Sequence, residues 1–186
     1  MKSAISIIGR PLAGKTTIVS AYQNRALQVG KYVRGLKEEN SIKQECVKYW
    51  KRGSNFPPQL LSEILKDMTF PDANWILIDN SPTGIDNSPT GIDTIQVIED
   101  YFDLKAIVEL EVPDDVWEKR LKDVLSNGRN GRVDNIEQAL RTRKEYFDSQ
   151  KQILRERFIN YYVINNSKDI MGTFQEFERL IKQVFP

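Results

Sequence analysis

Gly9-Arg10-Pro11-Leu12-Ala13-Gly14-Lys15-Thr16-Thr17 decides how this chain is read. Its first eight residues satisfy G-x-x-x-x-G-K-S/T at every defined position. Ser3–Ile8 before it is a nearly unbroken apolar run, as expected of a strand buried on both faces. From Thr16 to about Ala26 the pattern is helical. A strand–loop–helix of this kind curls backbone N–H groups around phosphate oxygens, and the helix N-terminus adds unpaired donors and partial positive charge. Gly9, Pro11, Ala13 and Gly14 then form a cradle, Lys15 reaches the outer phosphates, and Thr16 or Thr17 offers a hydroxyl to Mg²⁺. The expected ligand is a nucleoside triphosphate or something very like one.

Working outward, three more short apolar runs read as strands: Trp75–Ile78 ending at Asp79, Ala106–Val112 ending at Pro113, and Tyr161–Ile164. Leu60–Met68, Thr94–Phe102, Asp114–Leu125, Ile136–Phe158 and Thr173–Val184 read as helices. Strands alternating with amphipathic helices predict an α/β fold with a parallel sheet flanked by helices. With 186 residues, one domain over 1–186 is expected. Ligands in such folds bind at the carboxyl ends of the strands, where Gly9 and Asp79 both fall. Asp79 is the natural second partner of Mg²⁺; a plain turn-forming aspartate is the alternative. Asp86 competes for the role, because Ile78–Gly84 is repeated at once as Ile85–Gly91. This tandem copy lengthens the loop after the strand by seven residues.

Two arginines interrupt apolar stripes. Arg143 lies three after Leu140 and four before Phe147. Arg120 lies four after Val116 and four before Val124. A charge within such a stripe is costly unless it meets a counter-charge, which a triphosphate would supply, or snorkels to water. Asn127-Gly128-Arg129-Asn130-Gly131-Arg132 is a basic, glycine-rich loop that reads either as a mobile cover over a phosphate chain or as solvated surface.

Composition narrows the chemistry. There is no histidine, which removes Ser-His-Asp and Cys-His nucleophile systems and most catalytic zinc sites. The one cysteine, Cys46, reads as a buried small hydrophobe. The net charge of +1 gives no general pull toward nucleic acid or anionic membrane. The first residues are too short in their apolar run for a signal peptide, and no 18-residue apolar stretch follows, so a cytoplasmic location is expected. Phosphoryl transfer remains well served, since it needs positioning and charge neutralisation more than a covalent group.

Together these features resemble the adenylate kinase family of nucleoside monophosphate kinases in its short-lid form, over most of the chain. The family loop G-x-P-x-x-G-K-x-T is similar to Gly9–Thr17, with Leu12 in place of its third glycine. Gln28–Arg34 resembles the monophosphate segment, keeping Gly30 and Arg34. Arg52-Gly53-Ser54-Asn55-Phe56-Pro57 resembles the stretch lining the acceptor base. Gly131-Arg132-Val133-Asp134-Asn135 with Arg143 resembles the lid signature, and Asn165–Asp169 the loop that meets adenine through its backbone. The resemblance implies a three-layer P-loop NTPase fold, with a helical monophosphate-binding insertion at 28–69 and a short lid at 126–133. It implies that Arg120 packs near the ATP base, that Lys15, Arg132, Arg143 and Asp79 are catalytic, and that Gly30, Arg34, Phe56 and Gln96 bind the acceptor. Where the family carries an acceptor-gripping arginine, this chain has Thr83 and again Thr90, leaving Lys31, Lys37 and Arg52 as substitute cations. A monomer using ATP, Mg²⁺ and a nucleoside monophosphate is the expectation. The alternatives are a catalytically impaired nucleotide-binding relative, or a P-loop kinase for another small molecule. A GTPase would need N-K-x-D, and Asn166-Ser167-Lys168-Asp169 has those letters in the wrong order.

Overall fold

The computed structural model describes residues 1–52, 57–79, 90–127, 136–167 and 169–186. Most of the tandem copy (85–89), the basic loop from 128 on with Arg132, and Phe56 lie outside these residues.

Five parallel strands form one sheet: β1 (Lys2–Ile8), β2 (Ala26–Leu27), β3 (Trp75–Asp79), β4 (Phe102–Glu111) and β5 (Tyr161–Asn165), in the order β2-β3-β1-β4-β5. The helices are α1 (Lys15–Ala21), α2 (Val29–Gly35), α3 (Ser41–Arg52), α4 (Pro58–Asp67), α5 (Thr90–Tyr101), α6 (Asp114–Ser126), α7 (Ile136–Arg157) and α8 (Ile170–Val184). Among the described residues, no helix is long and apolar enough to cross a membrane.

Central strand β1 shows why the sheet needs cover on both sides. Ile5 and Ile7 point into a core with Ile18 of α1, Trp117 of α6 and Phe177 of α8. Ala4 faces the opposite core, with Leu61 and Leu65 of α4 and Ile98 of α5, while Ile8 meets Ile95 and the α7 residues Phe147 and Leu154. Each fully buried aliphatic chain contributes ~1.5–3 kcal/mol, and a slip of one residue would exchange the two faces. Pairing in register, Ile7 opposite Asp79 and Ile8 opposite Glu109, brings the carboxyl ends of β1, β3 and β4 to one edge.

Several boundaries depart from the sequence expectation, and two of them have a plain physical cause. The helix after the loop ends at Ala21, and after a 3₁₀ turn at Gln23–Arg25 the chain forms edge strand β2, where buried Leu27 pairs with Ile78. A two-residue strand carries no period to read. Strand β4 begins at Phe102, directly after α5, because that buried ring belongs to the core shared by α4 and α5. Helices α2–α4 leave the sheet between β2 and β3 and close a small core of their own around Val33, Cys46, Leu60 and Ile64.

Candidate functional site

The loop between β1 and α1 has its carbonyl oxygens occupied one after another. Lys15 Nζ donates to Gly9 O at 2.7 Å and to Arg10 O at 2.9 Å. Trp117 Nε1 donates to Pro11 O at 2.7 Å, and Arg120 Nη1 donates to Leu12 O at 2.9 Å. Asn166 Nδ2 donates to Ala13 O at 2.7 Å. Gly14 O then accepts the first helical N–H groups, from Thr17 and Ile18. With six consecutive carbonyls engaged, the loop offers N–H donors as its free backbone polarity, which suits an anion.

Backbone conformation enforces this shape. Gly9 has φ 147°, and a Cβ there would come within 2.7 Å of Leu110 O. Gly14 has φ 93°, and a Cβ there would meet Asn166 Nδ2 at 2.4 Å. Between them Leu12, at φ 63°, holds the left-handed conformation despite its side chain, at a cost of ~1–2 kcal/mol. Its packing against the core with Trp117 and Leu121 and its bond from Arg120 offset that strain.

Arg120 is thus a brace. Its other terminal nitrogen donates to Asn166 O at 2.7 Å, so the guanidinium joins the loop to the end of β5. Its counter-charge in the stripe is a pair of carbonyl dipoles, and burial lowers its pKa. Asn166, buried, carries the joint further: its Oδ1 accepts from Thr173 Oγ1 of α8 at 2.9 Å. Arg120, Asn166, Thr16, Thr17 and Ile170 line a cleft of about 880 Å³ that opens beside the loop. Thr16 and Thr17 stand exposed at the first turn of α1.

A second group of charges gathers at the loop's mouth. Burial pushes the Lys15 ammonium down to about 8, with Asp79 opposing that shift and Arg143 reinforcing it. Burial raises the Asp79 carboxyl, against the pull of Lys15 and Arg34. Arg143, on α7, has a buried Nε with no hydrogen-bond partner among the described residues, and burial lowers its pKa. A buried guanidinium nitrogen without a partner is costly unless an anion joins it. Lys15 of α1 is thus coupled electrostatically to Asp79 of β3 and Arg143 of α7, and Asp79 in turn to Arg34 of α2. The Asp79 carboxylate at the end of β3 and the Thr16 and Thr17 hydroxyls at the start of α1 are hard oxygen donors of the kind that suits Mg²⁺.

Gly30 sits in the first turn of α2, with Arg34 Nη1 3.2 Å from where its Cβ would be, so the arginine folds back over its own helix. Gln96 is not gathered with these groups. It is exposed on α5, and its Oε1 accepts from Arg157 at the last residue of α7, near the amino end of β5. Trp117 and the Asn166 side chain complete the loop's frame, and neither was singled out by the sequence. A G-x-x-x-x-G-K loop leaves no local sign of side chains that arrive more than a hundred residues later.

No protein-family model and no curated protein sequence matches the chain. Among solved structures it is similar to deoxyadenosine kinase from M. mycoides with bound dCTP, at a TM-score of 0.54 and 18% identity, covering 97% of this chain and 99% of that one. The form of that kinase with bound dATP matches at a TM-score of 0.53 and 18% identity, covering 96% and 99%. The likeness is one of fold: the chain shares with those structures an α/β architecture, here a five-stranded parallel sheet flanked by helices.

Proposed function

We propose that this chain is a Mg²⁺-dependent phosphotransferase that moves the γ-phosphoryl group of ATP to a nucleoside monophosphate. The observation that carries the reading is the electrostatic coupling of Lys15 to Asp79 and to Arg143, whose buried Nε has no hydrogen-bond partner among the described residues, beside a loop whose carbonyls at 9–14 are engaged. Such a site stabilises charge on a transferring phosphoryl group without a covalent intermediate. An acceptor phosphate oxygen attacks the γ-phosphorus in line, the bond to the β,γ-bridging oxygen breaks, and ADP leaves with that electron pair. Lys15 and Arg143 neutralise the equatorial oxygens, joined by Arg132 on the resemblance. Asp79 with Thr16 or Thr17 would hold Mg²⁺, which supplies further neutralisation of the phosphate chain. The Arg34 cation, within electrostatic reach of Asp79, supports an acceptor that carries its own negative charge. In this reading 28–69 forms the monophosphate side, with Gly30 and Phe56, and 126–133 the lid.

A second reading follows from the solved neighbours, both named as deoxyadenosine kinase. A nucleoside acceptor presents a hydroxyl, whose proton must leave as the new bond forms. Asp79, with its raised pKa, is the carboxylate in this group of charges that would take it.

A coupled assay of ADP release across AMP, CMP, UMP, GMP, their deoxy forms and the parent nucleosides separates the two. Turnover with monophosphates is expected. Turnover with deoxynucleosides alone would install the second reading, and ATP-dependent thermal stabilisation without turnover would leave a nucleotide-binding module.

A further inference from the structure

Arg10 occupies an undefined position of the loop motif, and the phosphate cradle has no use for its side chain. Yet this guanidinium is among the most heavily engaged groups in the molecule. Its Nε donates to Asp148 Oδ1 at 2.7 Å and its Nη2 to Asp148 Oδ2 at 2.9 Å, a bidentate pair onto α7. Its Nη1 donates to Asp114 Oδ1 at the start of α6 at 2.7 Å and to Val112 O at 3.1 Å. Lys144 completes the knot, 3.0 Å from Asp114 Oδ1 and 3.2 Å from Asp148 Oδ2. The Arg10 side chain is 13% exposed and that of Asp148 25%, so solvent screens this pair less than an ordinary surface pair.

The geometry points to Arg10 as a positioning residue that sets the distance between the phosphate loop and Arg143. Arg143 precedes Lys144 and lies five residues before Asp148, so both α7 members of the knot follow it within about a turn and a half of helix. A fork-to-fork arginine–carboxylate pair fixes orientation as well as distance. Without it, α7 keeps its apolar seat through Phe147 and Leu154 and its bidentate link from Arg141 to Glu118, but loses its direct charged tie to the loop. A displacement of about 1 Å at a transition-state cation can cost ~10²-fold in rate. The inference rests on the phosphotransferase reading for its kinetic form.

The test is a double-mutant cycle between Arg10→Ala and Arg143→Ala, read in both kcat and ATP affinity by calorimetry. Arg10→Ala is expected to lower kcat by ~10–100-fold beside native Arg143 and by less than about twofold beside Arg143→Ala, with the same pattern at smaller size in ATP affinity. Equal factors in both backgrounds would overturn the proposal, since Arg10 would then act through its own loop or through stability alone. Asp148→Asn approaches the same knot from the half-buried α7 side and serves if Arg10→Ala does not fold. Asp148→Glu, which retains the charge, is expected to restore part of the kcat lost in Asp148→Asn; no restoration counts against the proposal. Absence of turnover in every protein, wild type included, would remove the kinase reading alone, because ATP affinity still carries the cycle.

Discussion

The two sides of the site are held by different means. On the donor side, side chains from α1, α6 and the β5–α8 junction converge on consecutive carbonyls of one loop. On the other side, α2–α4 enclose a small core drawn from one continuous stretch of chain, and the cation they contribute, Arg34, is exposed. The donor frame is a product of long-range folding, so its shape is fixed before any ligand arrives. The α2–α4 side is local, and in the proposed reading Arg34 would find its partner in the acceptor. Rigid placement matters most where charge develops in the transition state, and adaptability is tolerable where a substrate is only gripped.

The largest effect that sharpens this contrast is expected at Arg143. Arg143→Met should cut phosphoryl transfer by ~10³–10⁵-fold, the range for a transition-state arginine. Its thermal midpoint should hold or rise, because a buried guanidinium nitrogen without a partner has been removed. A fall of several degrees in calorimetry would show that Arg143 is structural.

Next comes Arg34→Ala, which should raise the acceptor KM by ~10–100-fold while ATP affinity stays within about twofold, as expected for one charged hydrogen bond to the acceptor. Equal weakening of both substrates would erase the distinction between the two sides.

Asn166→Ala attacks the donor frame from behind. It strips the donor from Ala13 O and the acceptor from Thr173 Oγ1, and should cost ~1–3 kcal/mol in denaturant unfolding, with a matching loss of ATP affinity. Unchanged ATP affinity would mean that the loop keeps its shape without this brace.

The smallest effect is one of pH. Lys15 is lowered to about 8 in the free protein, and a bound triphosphate would raise it. The complex therefore binds more protons than the free protein, and affinity must fall as pH rises through about 8, by roughly tenfold between pH 7 and 9. Calorimetry at pH 8.5 in buffers of different ionisation enthalpy should register proton uptake, and none would place Lys15 outside the phosphate contacts. In the free fold the same shift makes stability rise from about pH 8 toward 10.5, since the unfolded chain holds that proton longer.

How much of this was legible in the sequence follows the same division. The loop motif, the strand before it and Asp79 at the end of β3 are local signals, and the described structure places them together. Arg143 was visible as a charge in an apolar stripe, and its unpartnered Nε keeps that argument intact. Arg120 gave the same signal, but two carbonyls meet it, and no periodicity distinguishes a carbonyl from a phosphate as partner. Gln96 rests on the family resemblance alone, and α5 carries it to the exposed surface beside Arg157. Trp117, Asn166 and the Arg10 knot left no trace in the sequence, because each depends on packing between segments far apart in the chain. Strand β2 escaped because two residues cannot show alternation.

The braces on residues 9–14 have a further consequence, in the order of synthesis. Trp117 stands 106 residues after the carbonyl it serves, Arg120 108 and Asn166 153. At ~5–20 residues per second, a ribosome takes roughly 8–30 s to deliver Asn166 after Ala13 has been added. For that interval the loop lacks its last brace, and a nascent chain stalled before β5 cannot hold it in the shape that the finished protein gives it. The first functional residues to be made are the last to become functional.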